Sequence, residues 1–229
     1  MITINWPEVQ RGIDIQGWAV IKGVITAEEC RSFAGMFANE TGFRSHVHMA
    51  RHGFGKGEYK YFSYPLPPLI AELRMSLYPP LSEIANRLNE AMGIEERYPA
   101  SHTEYTQLCK DAGQTRPTPL LLQYGPGDYN RLHQDLYGEM VFPLQLTVLL
   151  SQPEIDFTGG EFVITEQQAR MQSRPYVVPL GQGDAVIFAV RQRPVRGARG
   201  FTRVNMRHGV SELRSGHRHA LGIIFHDAK

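Results

Sequence analysis

Apolar positions change their spacing near residue 115. Before it they recur at helical intervals, and after it they form short alternating or continuous runs. Ile25, Phe33 and Phe37 share a helical side behind the capping box Thr26-Ala-Glu-Glu29, which predicts a helix to about Ala38. Leu69, Ile70, Leu73 and Leu77, then Leu81, Ile84, Leu88 and Met92, predict a second helix, broken or kinked at Pro79-Pro80. Ser101-His-Thr-Glu104 is a second capping box, for a helix ending near Gly113. Trp18–Val24 alternates and reads as a strand, whereas residues 41–64 show no clean period and read as a long loop holding at most one hairpin.

From Thr118 the runs are TPLLLQY, GDYNRLH, FPLQLTVLL, GEFVIT, RPYVVPL, DAVIFAV, FTRVNMRHGV and RHALGIIF. They are divided by turn residues with no helix between them, which predicts an antiparallel sandwich or barrel. Eight strands in two sheets fit a jelly roll of the cupin type, and another β-sandwich is the alternative. The expected class is α+β, a jelly-roll (double-stranded β-helix) core with a helical support. Residues 1–117 are read as the N-terminal helical support with a substrate-covering loop, residues 118–229 as the core, and the two as one compact unit.

Composition narrows this picture. The 229 residues are 42% hydrophobic and 21% charged, ordinary for a folded chain. No apolar run approaches the roughly 20 residues of a membrane helix. The start, MITINWPEVQRGIDIQGW, lacks a basic-then-apolar leader. Cys30 and Cys109 are too few for a disulfide framework, so a reducing, cytoplasmic setting is expected.

Two His-x-acid triplets occur. His102 and Glu104 fall in a helix start, where residues two apart diverge and do not meet on one ion. His133 and Asp135 end a strand, where residues two apart share a face and both reach one metal. A third ligand would complete a 2-His-1-carboxylate facial triad, a set that suits non-haem Fe(II) and leaves three positions open. His208, His217, His219 and His226 are candidates. His208 ends a late strand and is followed ten residues later by Arg218, suited to bidentate capture of a diacid's remote carboxylate. His219 has only the terminal Lys229 at that offset, so His208 and Arg218 are preferred.

The segments LLLQYGPGDYNRLHQD, LQLTVLL, FTGGEFVI, GDAVIF, RHGV and RHALGIIF resemble the Fe(II)/2-oxoglutarate-dependent dioxygenases, most closely the prolyl-hydroxylase-like subgroup. The wording of the C-terminal half also resembles a bacterial group of these oxygenases described as acting on nucleic acid. The resemblance covers about residues 118–227. It implies His133, Asp135 and His208 as iron ligands and Arg218 as the partner of 2-oxoglutarate. It implies Fe(II) and 2-oxoglutarate as cofactor and cosubstrate, with ascorbate a candidate reductant. It implies hydroxylation by O2 with release of succinate and CO2, on a peptidyl or free amino acid or another small molecule. Tyr124 matches a tyrosine that often lines the cosubstrate pocket, and Tyr129 is placed behind the site or in the core. Gln145 and Thr147 alternate with Leu146 and Val148, so one of the two is expected to face the pocket. Gly159-Gly160 reads as a tight turn.

The net charge of +1 hides an asymmetry: residues 189–219 carry eight arginines against Glu212, a local +7 beside −6 elsewhere. The stretch 191–207 reads as a hairpin arm beside the metal mouth, a candidate clamp for nucleic acid or another anion. Against this, repair dioxygenases that demethylate nucleic acid carry a second arginine six residues past the cosubstrate arginine, and here that residue is Ile224. Arg44, His46, His48, Arg51, His52, Lys56 and Lys60 in the 41–64 segment suggest a second wall of the substrate site. A non-catalytic cupin-like metal or ligand binder is the alternative from another class. Oligomeric state is not legible.

Overall fold

The computed structural model describes residues 3–136, 138–198 and 200–229. Its first half begins with a helix that the apolar spacing did not predict, α1 (Trp6–Gln16), capped by Asn5, with Pro7 in its first turn and Gly17 closing it in the left-handed region. β1 (Trp18–Ile21) and α2 (Ala27–Met36) follow, and the Thr26–Glu29 capping box is closed in both directions. The segment expected as a long loop with at most one hairpin is largely sheet: β2 (Phe43–His48), a 3-10 turn (Met49–His52), β3 (Gly55–Lys56) and β4 (Glu58–Phe62), with β2 and β4 as the antiparallel pair. Its strands were hidden because the alternation is carried by histidine, lysine and tyrosine, whose faces periodicity does not separate.

α3 (Pro68–Ala91) runs through Pro79 and Pro80 without the expected break. The prolines remove two ladder donors, but Leu77, Tyr78, Leu81, Ile84 and Leu88 are buried on both sides of them, and that burial keeps the helix continuous. Ser82 Oγ donates to Pro79 O at 2.8 Å in the same turn. α4 (His102–Asp111) starts at Ser101, whose hydroxyl accepts the Glu104 N–H.

The second half holds β5 (Leu120–Tyr124), β6 (Tyr129–His133), β7 (Leu144–Leu149), β8 (Phe157–Gly159), β9 (Phe162–Gln167) and β10 (Arg174–Val178). After these come β11 (Ala185–Ala189), β12 (Gln192–Gly197), β13 (Gly200–Val210), β14 (Leu213–Gly216) and β15 (Arg218–Ile223). The major sheet has the order β1-β11-β7-β15-β5-β4-β2, and the minor sheet β10-β9-β13-β6-β3 with β12 on β13. β1, β2 and β4 therefore extend the major sheet from the N-terminal half. Between the sheets Phe162 meets Phe188 at 5.3 Å, within a core that includes Leu146, Val148, Ile164, Val204 and Met206. Cys30 and Cys109 are buried free thiols.

The arginine-rich arm is a hairpin, but its tip at Gly197 and Gly200 points away from the metal residues. The tip lies eight residues along β13 from His208, roughly 27 Å at strand rise. Arg193 is buried on Glu166, and Arg203 donates twice to Met92 O behind α3. These two arginines fasten the hairpin to the body, while Arg191 and Arg207 are exposed at its base, where Gln134 ties the His133–Asp135 segment to Arg191 O and Met206 O. Arg199 lies outside the described residues. Lys60, expected on a substrate wall, is buried and donates to Phe37 O and Asn39 O.

Candidate active site

β6 and β13 are neighbours in the minor sheet, and their register sets His133 directly opposite His208. The two rings lie 4.3 Å apart. Asp135 follows two residues after His133 and turns its carboxylate between them, 3.4 Å from His133 Nε2 and 3.4 Å from His208 Nε2. His133 Nδ1 is 2.7 Å from Arg131 O. A carbonyl only accepts, so Nδ1 carries the proton and Nε2 offers its lone pair to the centre. His208 is wedged against Phe188 at 4.5 Å and stacked on Phe162. Two imidazole nitrogens and a carboxylate on one side of a cavity form the donor set of a 2-His-1-carboxylate iron site, and the residues fit Fe(II). Burial pushes the Asp135 carboxyl up, but the bonds and charges of His133 and His208 outweigh it and hold it well below the carboxylate range.

Gln134 was not singled out from the sequence. Its side chain points opposite to its neighbours and donates to Arg191 O at 3.1 Å and Met206 O at 2.8 Å. That ties the His133–Asp135 segment to β13. The signal was available: the middle residue of a ligand pair in a strand must face away from the metal.

A cavity of about 380 Å³ opens beside the triad, within the range of small-ligand sites. Tyr124, Gln145, Thr147 and Arg218 line it. Gln145 and Thr147 both face it, correcting the expectation of one, because residues two apart in β7 share a face. Arg218 is 2% exposed, in register with Tyr124, with its guanidinium 5.6 Å from that ring. Its Nε has no hydrogen-bond partner among the described residues. Burial lowers its pKa, opposed by Tyr124 and the distant charge of Glu161. A buried cation at the end of a cavity fits the remote carboxylate of 2-oxoglutarate. Gly160 makes room for it: a Cβ there would lie 3.1 Å from Arg218 Cδ and 2.5 Å from Leu213 Cδ1, at a φ of +61°. Tyr124 is fully buried, and Asn130 Nδ2 donates to its hydroxyl at 3.4 Å. Tyr129 is half-buried beside Arg131 and does not line the cavity.

The other histidines do not join the triad. His219 lies on the outer face, 3.0 Å from Gln123 Oε1, and His226 accepts the Phe142 N–H. His102 is buried against Phe225 O, as its place in a helix start implied. The cavity rim carries Phe54 at 48% exposure, with Leu132, Leu136 and Arg131. Phe54 stacks on His52 at 5.3 Å and is anchored by the Arg131 N–H on Phe54 O. The 41–64 segment therefore reaches the cavity through Gly53, Phe54 and Tyr59 rather than through its cations.

Residues 57–228 match the family model described as "Oxygenase, catalysing oxidative methylation of damaged DNA". Uncharacterised proteins of two Mycobacterium tuberculosis strains, CDC 1551 and H37Rv, are each 50% identical over 167 residues, 73% of this chain and 72% of theirs. A prolyl-4-hydroxylase from Pseudomonas putida superposes with a TM-score of 0.54 at 14% identity, covering 95% of this chain and 96% of its own. A 2-oxoglutarate-Fe(II) oxygenase from Burkholderia pseudomallei gives 0.52 at 14% identity, over 99% and 94%. A Trichoplax adhaerens prolyl hydroxylase solved with a hypoxia-inducible-factor peptide gives 0.55 at 13% identity, over 95% and 86%.

Proposed function

The chain belongs to the oxygenase family whose model it matches over residues 57–228, and from that premise we propose that its substrate is a damaged base in nucleic acid. The fold is that of the 2-oxoglutarate- and Fe(II)-dependent oxygenases. His133, Asp135 and His208 would hold the iron, and Arg218 with Tyr124 and Thr147 would hold the cosubstrate. The iron, when bound with 2-oxoglutarate, supplies activation of O2 for attack on a C–H bond, with succinate and CO2 released.

The observation that carries the substrate reading is the rim. Phe54 and His52 present a stacked, half-exposed ring surface beside the cavity, with Arg131 exposed next to it. Flat aromatic surface with a neighbouring cation is what an unstacked base requires. Single-stranded or flipped bases reach such a cavity, whereas a stacked base does not. A methyl group on a base nitrogen offers the C–H bond; its hydroxylation gives a hemiaminal that releases formaldehyde and the restored base. Ile224, where repair dioxygenases carry a second arginine, is buried beside Tyr61 and Leu120, so base contact here falls to the rim. The protein's own part is to hold the ligand geometry through Gln134 and the His133–Arg131 bond, and to fix the His208 ring between Phe162 and Phe188.

The test is turnover of an N-methylated single-stranded oligonucleotide by iron-loaded protein with 2-oxoglutarate, with and without ascorbate. Succinate and formaldehyde are expected in equal amounts, and both fall to background in Asp135→Asn. Turnover of proline-containing peptides or free amino acids, with none of the oligonucleotide, overturns the nucleic-acid reading and supports amino-acid hydroxylation. A gel shift of the same oligonucleotide weakens steeply with salt if the rim and its cations bind phosphates.

A further inference from the structure

We propose that His46, His48 and Glu58 form a second divalent-cation site, suited to Zn2+, on the outer face of the major sheet. His46 and His48 are two residues apart in β2 and share a face. β4 pairs with β2 so that Glu58 stands opposite His48, with His46 on the diagonal. Glu58 Oε2 is 2.7 Å from His46 Nε2, and Glu58 Oε1 is 3.3 Å from His48 Nδ1. One donor atom from each residue lies within 4.8 Å of the others. Donors on one zinc ion, each 2.0–2.2 Å from it, stand roughly 3–3.5 Å apart, so small side-chain rotations close the set.

The surroundings favour a cation. The imidazoles lie 4.6 Å apart, and His46 is backed by the edge of Phe37 at 5.9 Å, which limits where its ring turns. Lys60, in register with His46, is drawn away to Phe37 O and Asn39 O instead of neutralising Glu58. Imidazole nitrogens with one carboxylate suit zinc better than magnesium or calcium, which prefer all-oxygen sites. The cluster is on the opposite face from the iron residues: its neighbours in register are Gln123 and His219, while the cavity takes Leu122, Tyr124 and Arg218 from the same strands. It is therefore independent of the catalytic reading. An ion there would pin the end of β2, which leads through the Met49–His52 turn into Gly53 and Phe54 at the rim.

The test is competition for Zn2+ against a chromophoric chelator, using the full chain with Asp135→Ala so that the triad does not report. One equivalent of Zn2+ is expected to remain. Adding Glu58→Gln or, separately, His46→Gln is expected to weaken it by more than the roughly 10–100-fold that loss of an outer-shell partner costs. Circular dichroism and the zinc-free Tm show whether each variant is folded. Co2+ in place of zinc should give visible absorption bands that vanish with either substitution. No bound equivalent in Asp135→Ala, or unchanged affinity and spectrum in the folded double variants, overturns the site.

Discussion

Three arginines of the described residues are almost completely buried, and they divide into two kinds. Arg74 donates to Asp227 Oδ1 at 2.9 Å and to Phe225 O, beneath α3. Arg193 donates to Glu166 and to Asp14 O, beneath the hairpin. Arg218 is as deeply buried, yet no carboxylate of the described residues bonds it, and a cavity lies beside it instead. Burial strips a guanidinium of most of its hydration, so such a charge is best stabilised by a counter-ion from the chain or from a ligand. The first two arginines hold the fold together, and the third waits for an anion. The same logic sets Arg193 of the 191–207 arm among the structural charges and leaves Arg218, which the arm does not contain, facing the cavity.

Taking away a built-in counter-ion has the largest expected effect. Asp227→Asn leaves Arg74 uncompensated and should cost about 3–5 kcal/mol of stability, with Glu166→Gln close behind for Arg193. Urea denaturation measures both, and a loss below about 1 kcal/mol would show that these carboxylates are not needed as counter-ions.

The surroundings of Arg74 supply a pH signature. Burial first, and the Arg74 charge second, lower His102 and His226 from 6.5 to about 4. The unfolded chain takes up these protons before the folded one does. Their contribution is complete above about pH 6.5 and is lost as pH falls towards 4, by up to roughly 3 kcal/mol for each histidine. Stability measured from pH 7 to pH 4 should fall along that window, and more gently in His102→Gln.

Arg218→Met should behave in the opposite way to the paired arginines. The KM for 2-oxoglutarate is expected to rise about 100-fold, the scale of a lost charged hydrogen-bonded pair of 2–3 kcal/mol, while Tm stays level or rises. A fall in Tm with unchanged KM would place Arg218 among the structural arginines. The smallest effect belongs to the rim. Phe54→Ala should raise the KM for an oligonucleotide substrate about tenfold, as one stacking contact is worth 1–3 kcal/mol. Cosubstrate consumption without substrate should not change.

Much of the candidate site was legible along the chain because strand geometry is local. A two-residue period puts His133 and Asp135 on one face, and the ten-residue offset from His208 to Arg218 singled out both. The same rule, applied strictly, also sends Gln145 and Thr147 to the cavity together and turns the Gln134 amide from the metal ligands towards β13. Capping boxes marked α2 and α4 for a similar reason: their bonds close within four residues.

Pairings between residues distant in sequence come from the fold alone. Nothing local says that Arg193 meets Glu166, 27 residues away, or that Arg74 meets Asp227, 153 residues away. The charge of the arm is local and legible, whereas the pairing of Arg193 within it is not. The 41–64 segment was obscured for the same reason: β4 is a strand because β5 pairs with it, and Phe54 reaches the cavity because β6 holds its carbonyl. Side-chain type and strand period, both read along the chain, single out the residues whose chemistry suits iron and a diacid. The folded structure decided which charges are left over for ligands, since a charge is free only when every other part of the chain has failed to reach it.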